Sequence, residues 1–259
     1  MFFKDTNIST NITAATPERV FALCKCVEEK KNVSDSSLRK MLEPDYAKNS
    51  NYYSAIRDAA IELDLIDYND YISLKVEPDV IKNIEAMRNY INSNISNISH
   101  GAFYAITKTY FSLGEKIFGE IKNMSGAAAI ISNVSNVTVN DVAMRAWRFW
   151  ASFLGFGYLD SMLIIPNAAV FIKDLIDASS IKKKEYISMN DFFAEISPSI
   201  SIIVDVNKRN LNYGATAGIL TLEQLGILEM TEILDHDVWN IADIDIKRRP
   251  IITNIKVKK

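Results

Sequence analysis

Histidine and cysteine are almost missing from this chain, with two of each in 259 residues. The shortage removes most sites built on imidazole or thiolate. Neither His100 nor His236 has a metal-ligand spacing to a second Cys or His. Cys24 and Cys26 stand two apart on a predicted helix and point to opposite sides, since each residue turns about 100°. They suit neither one metal nor an ordinary disulfide, and a reducing, cytoplasmic compartment is expected. The nine glycines form no phosphate-cradling loop followed by Lys and Ser/Thr, no G-x-G-x-x-G, and no G-x-S-x-G elbow. A carboxylate-only nuclease would need two or more acids and a Lys converging on a metal. Here the acids are scattered over predicted helix surfaces. No enzyme, cofactor or metal is expected.

Positive charge is also scarce. Twenty-nine Lys and Arg face thirty-two Asp and Glu, a net charge of -3, whereas a small nucleic-acid-binding domain is usually strongly basic. Residues 1–80 carry ten basic and fourteen acidic groups, while 247–259 carry six basic groups and no acid. Met1-Phe2-Phe3-Lys4-Asp5 lacks the basic and apolar regions of a signal peptide. The apolar stretch Phe149–Ile172 is long enough to raise a membrane span. Gly155, Gly157, Asp160 and Pro166 interrupt it, and helix, hairpin and helix explain it better.

What the chain does have is a pattern used three times. An amphipathic helix ends, a Leu-(Gly/Asp)-apolar step follows, and a short strand pair begins. The copies are Leu63-Asp64-Leu65-Ile66, Leu154-Gly155-Phe156-Gly157 and Leu225-Gly226-Ile227-Leu228. This is how the third helix of a winged helix-turn-helix passes into its wing. Residues 1–15 read as a loosely held polar arm. Thr16-Pro17-Glu18 starts a helix with a cap, proline at the first helical position and an acid in the first turn. Val20, Leu23 and Val27 set its apolar stripe. Ser34 caps a second helix, which Pro44 ends. Ser50 caps a third, with Tyr53, Ile56, Ala60 and Leu63 inward. Strands follow around Asn69-Asp70, a turn pair.

Two long helices, Pro78 to about Asn97 and Gly101 to Lys122, are expected as an antiparallel pair serving as spacer or dimerisation element. Gly126–Val134 is a further helix candidate, and Asn140-Asp141 starts a strong helix through Leu154. Tyr158–Ile165 is its wing. Asn167 caps the next helix, and Lys182-Lys183-Lys184 marks a solvated linker. A helix around Leu211–Leu225 leads to strands 227–234 and 238–241 around Asp235-His236-Asp237. That Asp/His cluster could bind a divalent ion or be a solvated turn, the ordinary role of Asp there. The expected fold is therefore mainly α with small β wings: two to three winged helix-turn-helix units joined by a helical spacer. Its divisions are 1–76, 77–124, 125–180 and 181–259.

Recognition helices present polar side chains at three- and four-residue spacing to the major groove. In 140–154 a core stripe of Val142, Ala146, Phe149 and Phe153 leaves Arg145, Arg148 and Ser152 on the opposite face, bordered by Trp147 and Trp150. Each arginine could hold a guanine edge or a phosphate. Lys208, Arg209 and Asn212 lead into the third such helix, where a basic run suits a phosphate. Lys247, Arg248 and Arg249 head the basic tail, which also carries Lys256, Lys258 and Lys259, and could follow a nucleic-acid backbone. The first unit offers Asn51, Tyr52, Ser54 and Arg57, but Asp58, Glu62, Asp64 and Asp67 would repel phosphate. Those four positions point to protein contact.

Residues Thr16-Pro17-Glu18-Arg19-Val20 through Ser50–Leu74 resemble the N-terminal winged helix of accessory proteins from prokaryotic phage-defence and DNA-modification islands. The resemblance implies a non-catalytic partner of larger enzymes in a bacterial system, acting near double-stranded DNA. The expected partners are duplex DNA and other protein subunits, with a homodimer admitted and no membrane. A protein–protein adaptor and a transcription regulator are the alternatives.

Overall fold

The computed structural model describes residues 2–8, 12–43, 52–244 and 250–258. The protein is mainly helical, with small antiparallel sheets of two or three strands. In chain order the first elements are α1 (Pro17–Lys30), α2 (Asp35–Leu42), α3 (Tyr52–Glu62), β1 (Ile66–Tyr68) and β2 (Ile72–Leu74). Then come α4 (Ile84–Ser93), α5 (Ala102–Ser112), α6 (Lys116–Glu120), α7 (Met124–Ser135) and α8 (Asp141–Phe153), followed by β3 (Gly157–Asp160) and β4 (Leu163–Pro166). The last stretch holds α9 (Ala169–Ala178), β5 (Tyr186–Ser188), α10 (Met189–Glu195), α11 (Tyr213–Gln224), β6 (Leu228–Thr231), β7 (Trp239–Asn240), β8 (Ile251–Ile252) and β9 (Asn254–Val257).

The three sequence steps share one backbone geometry. Asp64, Gly155 and Gly226 all take positive φ, at 56°, 79° and 67°. Each donates its N–H three residues back: to Ile61 (3.0 Å), Ser152 (3.1 Å) and Glu223 (2.8 Å). The following Leu65, Phe156 and Ile227 donate to Ala60, Ala151 and Leu222 at 2.9 Å each. These paired bonds are the Schellman closure of a helix, and an apolar residue after the left-handed position completes it. The repeat continues past the helix. The carbonyls of Leu65, Phe156 and Ile227 accept from Lys75 (3.0 Å), Asn167 (3.1 Å) and Lys258 (2.8 Å), each just beyond a returning strand. The returning strands place Ile72, Ile164 and Ile255 at the same register position, and all three are fully buried.

In the first and third copies the returning strand also pairs with a segment that precedes the second helix. Val33 bridges Ile72, and β5 pairs with β9. In the middle copy the Tyr110 hydroxyl donates to the Ile164 carbonyl at 2.7 Å instead. The third copy also corrects the expected hairpin. β6 pairs with β9 at the far end of the chain, not with the strand after Asp235-His236-Asp237, which instead forms β7 against β8. Residues 232–253 are thus inserted between the two strands of the third copy.

Other expectations change too. The supposed loose arm is anchored: Phe2 and Phe3 are fully buried, and both their N–H groups donate to Glu62 Oε2 at 3.0 Å. Phe3 meets Trp150 edge-to-face at 4.9 Å. The two long helices are both broken. Asn83 caps α4 afresh after a 3-10 turn, and Gly114, at φ 56°, separates α5 from α6. They are no antiparallel pair: α4 packs on α9, and α5 on α7. Phe149–Ile172 divides into α8, β3, β4 and α9, and no helix among the described residues is long and apolar enough to cross a membrane. One contiguous buried cluster runs from Phe2 to Val257.

Candidate functional site

The core stripe of α8 is rotated from the expected one. Ala143, Met144, Ala146, Trp147, Trp150 and Ala151 are buried, whereas Phe149 is exposed and Val142 and Phe153 are half-buried. The indoles drive this, because each finds an internal acceptor. Trp150 Nε1 donates to the Ala15 carbonyl at 2.7 Å, and Trp147 Nε1 to Thr107 Oγ1 at 2.9 Å. A buried tryptophan needs such a partner for its N–H.

The outward face of α8 carries Arg145, Arg148, Phe149 and Ser152. Arg145 is exposed. Arg148 turns toward its own hairpin: Nη1 donates to the Ser161 carbonyl at 3.1 Å and the guanidinium lies 4.9 Å from the Phe149 ring centre. Ser152 is half-buried and its carbonyl belongs to the helix closure. Beside them the hairpin exposes Tyr158, Leu159, Met162 and Ile165. The charged residues here are Arg145 and Arg148, with Asp160 the exposed acid of the adjoining hairpin.

The other expected contacts are tied to neighbours. Lys208 pairs with Asp205 at 3.3 Å, and Arg209 with Asp237 at 2.6 Å. Asn212 is the N-cap of α11, accepting from Ala215 N–H at 2.9 Å and donating to the Ile203 carbonyl. The helix it caps has little free surface: Gly214, Ala215, Thr216, Gly218, Ile219, Leu220 and Leu222 are all buried. Gly214 lies so close to Phe111 and Pro166 that a Cβ would fall 2.4 and 2.7 Å from them. α11 is therefore largely a packing helix, with Tyr213, Ala217, Thr221 and Gln224 as its incompletely covered stripe.

In the first unit Arg57 bonds Asp35 at 3.0 Å and Asp58 at 2.8 Å, and lies 4.8 Å over the Tyr68 ring. Tyr52 is exposed, with Arg19 5.7 Å above its ring, and Ser54 is half-buried. Burial alone would raise the Asp64 carboxyl, but hydrogen bonds from Lys4 and Lys75 outweigh it and hold the group below its ordinary value. Asn51, Lys247, Arg248, Arg249 and Lys259 lie outside the described residues, as do Pro44 and Ser50. Lys256 and Lys258 belong to, or directly follow, β9, and both pair with Glu229, at 3.0 and 2.9 Å.

Among the described residues no three His, Cys, Asp or Glu side chains converge as metal ligands. Asp237, the acid beside His236, gives its two oxygens to Arg209 and Asn190. Cys24 is buried, and burial pushes its thiol up to about 12. The hairpin at 158–165 was expected from the sequence, but not the exposure of its apolar side chains Tyr158, Leu159, Met162 and Ile165. The signal was the consecutive apolar pairs Tyr158-Leu159 and Ile164-Ile165 on either side of a two-residue turn, which put apolar residues on both faces and do not tell which stay uncovered. A comparison with protein-family models, curated proteins and solved structures finds no match.

Proposed function

We propose that this protein is a non-catalytic contact subunit built of three tandem winged-helix units, and that its principal contacts are with protein. The unit reading rests on the repeated order of helices followed by two paired strands, with the same helix closure and the same buried isoleucine in each copy, and with a pairing segment before the second helix in the first and third copies. The protein-contact reading rests on one observation above all. At the middle hairpin, Tyr158, Leu159, Met162 and Ile165 are exposed where a nucleic-acid-binding wing would present Lys or Arg. Tyr158 and Ile165 are cross-strand partners on one face of the hairpin; exposed apolar patches mark interaction surfaces, and exposed aromatic and Met residues are the common anchors of protein interfaces. Phe149 on α8 is exposed as well.

The test is co-expression with the products of neighbouring genes, followed by size-exclusion chromatography. The chain should co-elute with one of them, and Leu159→Asp with Met162→Asp should abolish the complex while the melting curve stays unchanged. Absence of any complex, or a complex indifferent to both substitutions, would overturn the reading.

DNA binding is the second reading. It is favoured by Arg145, which is exposed on α8 and has no acidic partner among the described residues. A salt series on duplex DNA decides it, since phosphate contacts make affinity fall steeply with salt. Undetectable binding at low salt would leave the protein-contact reading alone.

A further inference from the structure

The third unit differs from the first by two elaborations. One is residues 196–212, between α10 and α11; the other is residues 232–253, between β6 and β9. Neither completes the repeat, because β5, β9 and β6 already form its sheet. The two elaborations pack on one another. Leu211 N–H donates to the Asn240 carbonyl at 2.9 Å, Asn240 N–H to the Arg209 carbonyl at 3.0 Å, and Arg209 Nη1 to Asp237 Oδ1 at 2.6 Å. Asn190 of α10 joins them, donating through Nδ2 to Asp237 Oδ2 at 2.6 Å and accepting at Oδ1 from Trp239 Nε1 at 2.8 Å.

With α10 they border an open cleft of about 530 Å³, lined by Asn190, Phe193, Ala194, Val206, Asn207 and Arg209 among others. This volume lies in the range of small-molecule sites, about 300–1,000 Å³. The cleft has a buried floor: Trp239 is 1% exposed and packs against Phe193, ring centres 4.5 Å apart and planes tilted by 34°. It also has an oriented cation. Asp237 fixes the Arg209 guanidinium through Nη1 alone, and Nε and Nη2 have no partner among the described residues. A guanidinium presents its N–H groups as a planar fork suited to carboxylate and phosphate. Phe193, Ala194 and Val206 supply apolar lining beside it.

We propose that this cleft binds a small organic anion, its carboxylate or phosphate held by Arg209 and its apolar body set against Phe193, Ala194 and Val206. The two elaborations then have a purpose that the winged-helix repeat does not give them.

The probes are phenyl phosphate and benzoate, titrated separately into the ¹⁵N-labelled full chain, with inorganic phosphate as the head group alone. Saturable shifts are expected at the amides of Asn190, Ala194, Asn207 and Arg209 and at the Trp239 indole. Arg209→Ala should weaken binding tenfold or more. Ala194→Trp, a substitution at an exposed position of α10 that fills the cleft, should abolish it while the rest of the spectrum is retained. Failure of both organic probes to saturate, or shifts unchanged in Ala194→Trp, would overturn the proposal. Inorganic phosphate binding as tightly as phenyl phosphate would overturn it as well, because the apolar lining would then contribute nothing.

Discussion

Arg88 and Asp174 form a two-pronged ion pair across 86 residues of chain: Nε donates to Oδ2 at 2.8 Å and Nη2 to Oδ1 at 3.1 Å. It joins α4 to α9. Asp174 is 2% exposed and also accepts from Asn92 Nδ2 at 2.8 Å. Its carboxylate holds the Arg88 guanidinium above its ordinary pKa, against the opposing effect of burial. Removing one partner of such a pair strands the other, which typically costs about 3–5 kcal/mol. Asp174→Ala should therefore destabilise the protein by about that much in urea titration. The double substitution Arg88→Met with Asp174→Leu should recover much of the loss, because an apolar pair leaves no charge stranded. A double variant no more stable than Asp174→Ala would show that the pair does more than neutralise itself.

The three helix closures separate two costs that are usually mixed. A non-glycine residue in the left-handed region costs about 1–2 kcal/mol. At Gly226 an added Cβ would meet nothing within 4 Å, so Gly226→Ala should cost about 1 kcal/mol and no more. At Gly155 the same atom would fall 2.5 Å from Val170 Cβ and 2.8 Å from Phe171 N. Backbone must move there, and Gly155→Ala should cost clearly more than Gly226→Ala in thermal unfolding. Equal losses at the two sites would contradict the packing argument.

That repeat was legible because its signals are local. A left-handed Gly or Asp, an apolar residue next, and an amphipathic helix before it all fit in one short window. The return strand of the third copy was not legible, because β9 lies beyond an insertion and only long-range pairing identifies it. The stripe of α8 failed for another reason. Phe149 and Phe153 compete with Trp147 and Trp150 for the core, and periodicity cannot weigh them. The outcome turned on acceptors at Ala15 and Thr107, which come from distant segments. Arg145 and Arg148 were found together on one helix. That Arg148 faces its own hairpin depends on the position of the Ser161 carbonyl, which no spacing rule supplies.

These two arginines should therefore behave differently. Arg145 is exposed and has no hydrogen bond or ion pair among the described residues, so Arg145→Ala should change stability by less than about 0.5 kcal/mol. Arg148→Ala removes a charge-assisted bond to Ser161 and the contact with Phe149. A loss of about 1 kcal/mol is expected from the bond, given its partial exposure, with faster hydrogen exchange at the tip of the β3–β4 hairpin. If Arg145→Ala weakened partner or duplex binding while leaving the melting curve intact, Arg145 would be a contact residue; a matching loss of stability would argue for a structural role.

Glu229 gives the third sheet a pH dependence with a definite sign. The Tyr186 hydroxyl donates to Oε1 at 2.5 Å, and Lys258 and Lys256 pair with Oε2. These partners, Tyr186 first, lower its pKa from 4.5 to about 2. A carboxyl with a depressed folded value stabilises the fold above its unfolded pKa and loses that contribution as pH falls through the folded one. Hydrogen-exchange protection across β5, β9 and β6 should thus decline as pH drops from about 4.5 to about 2. Glu229→Gln keeps an acceptor for Tyr186 but no charge, so its decline should be shallower. Added salt should bring the two profiles together, since exposed charges are screened. Superimposable profiles at low salt would mean that Lys256 and Lys258 are not neutralised by Glu229. Both cations would then be available to an anionic partner, and the case for DNA along this edge would gain what the protein-contact reading loses.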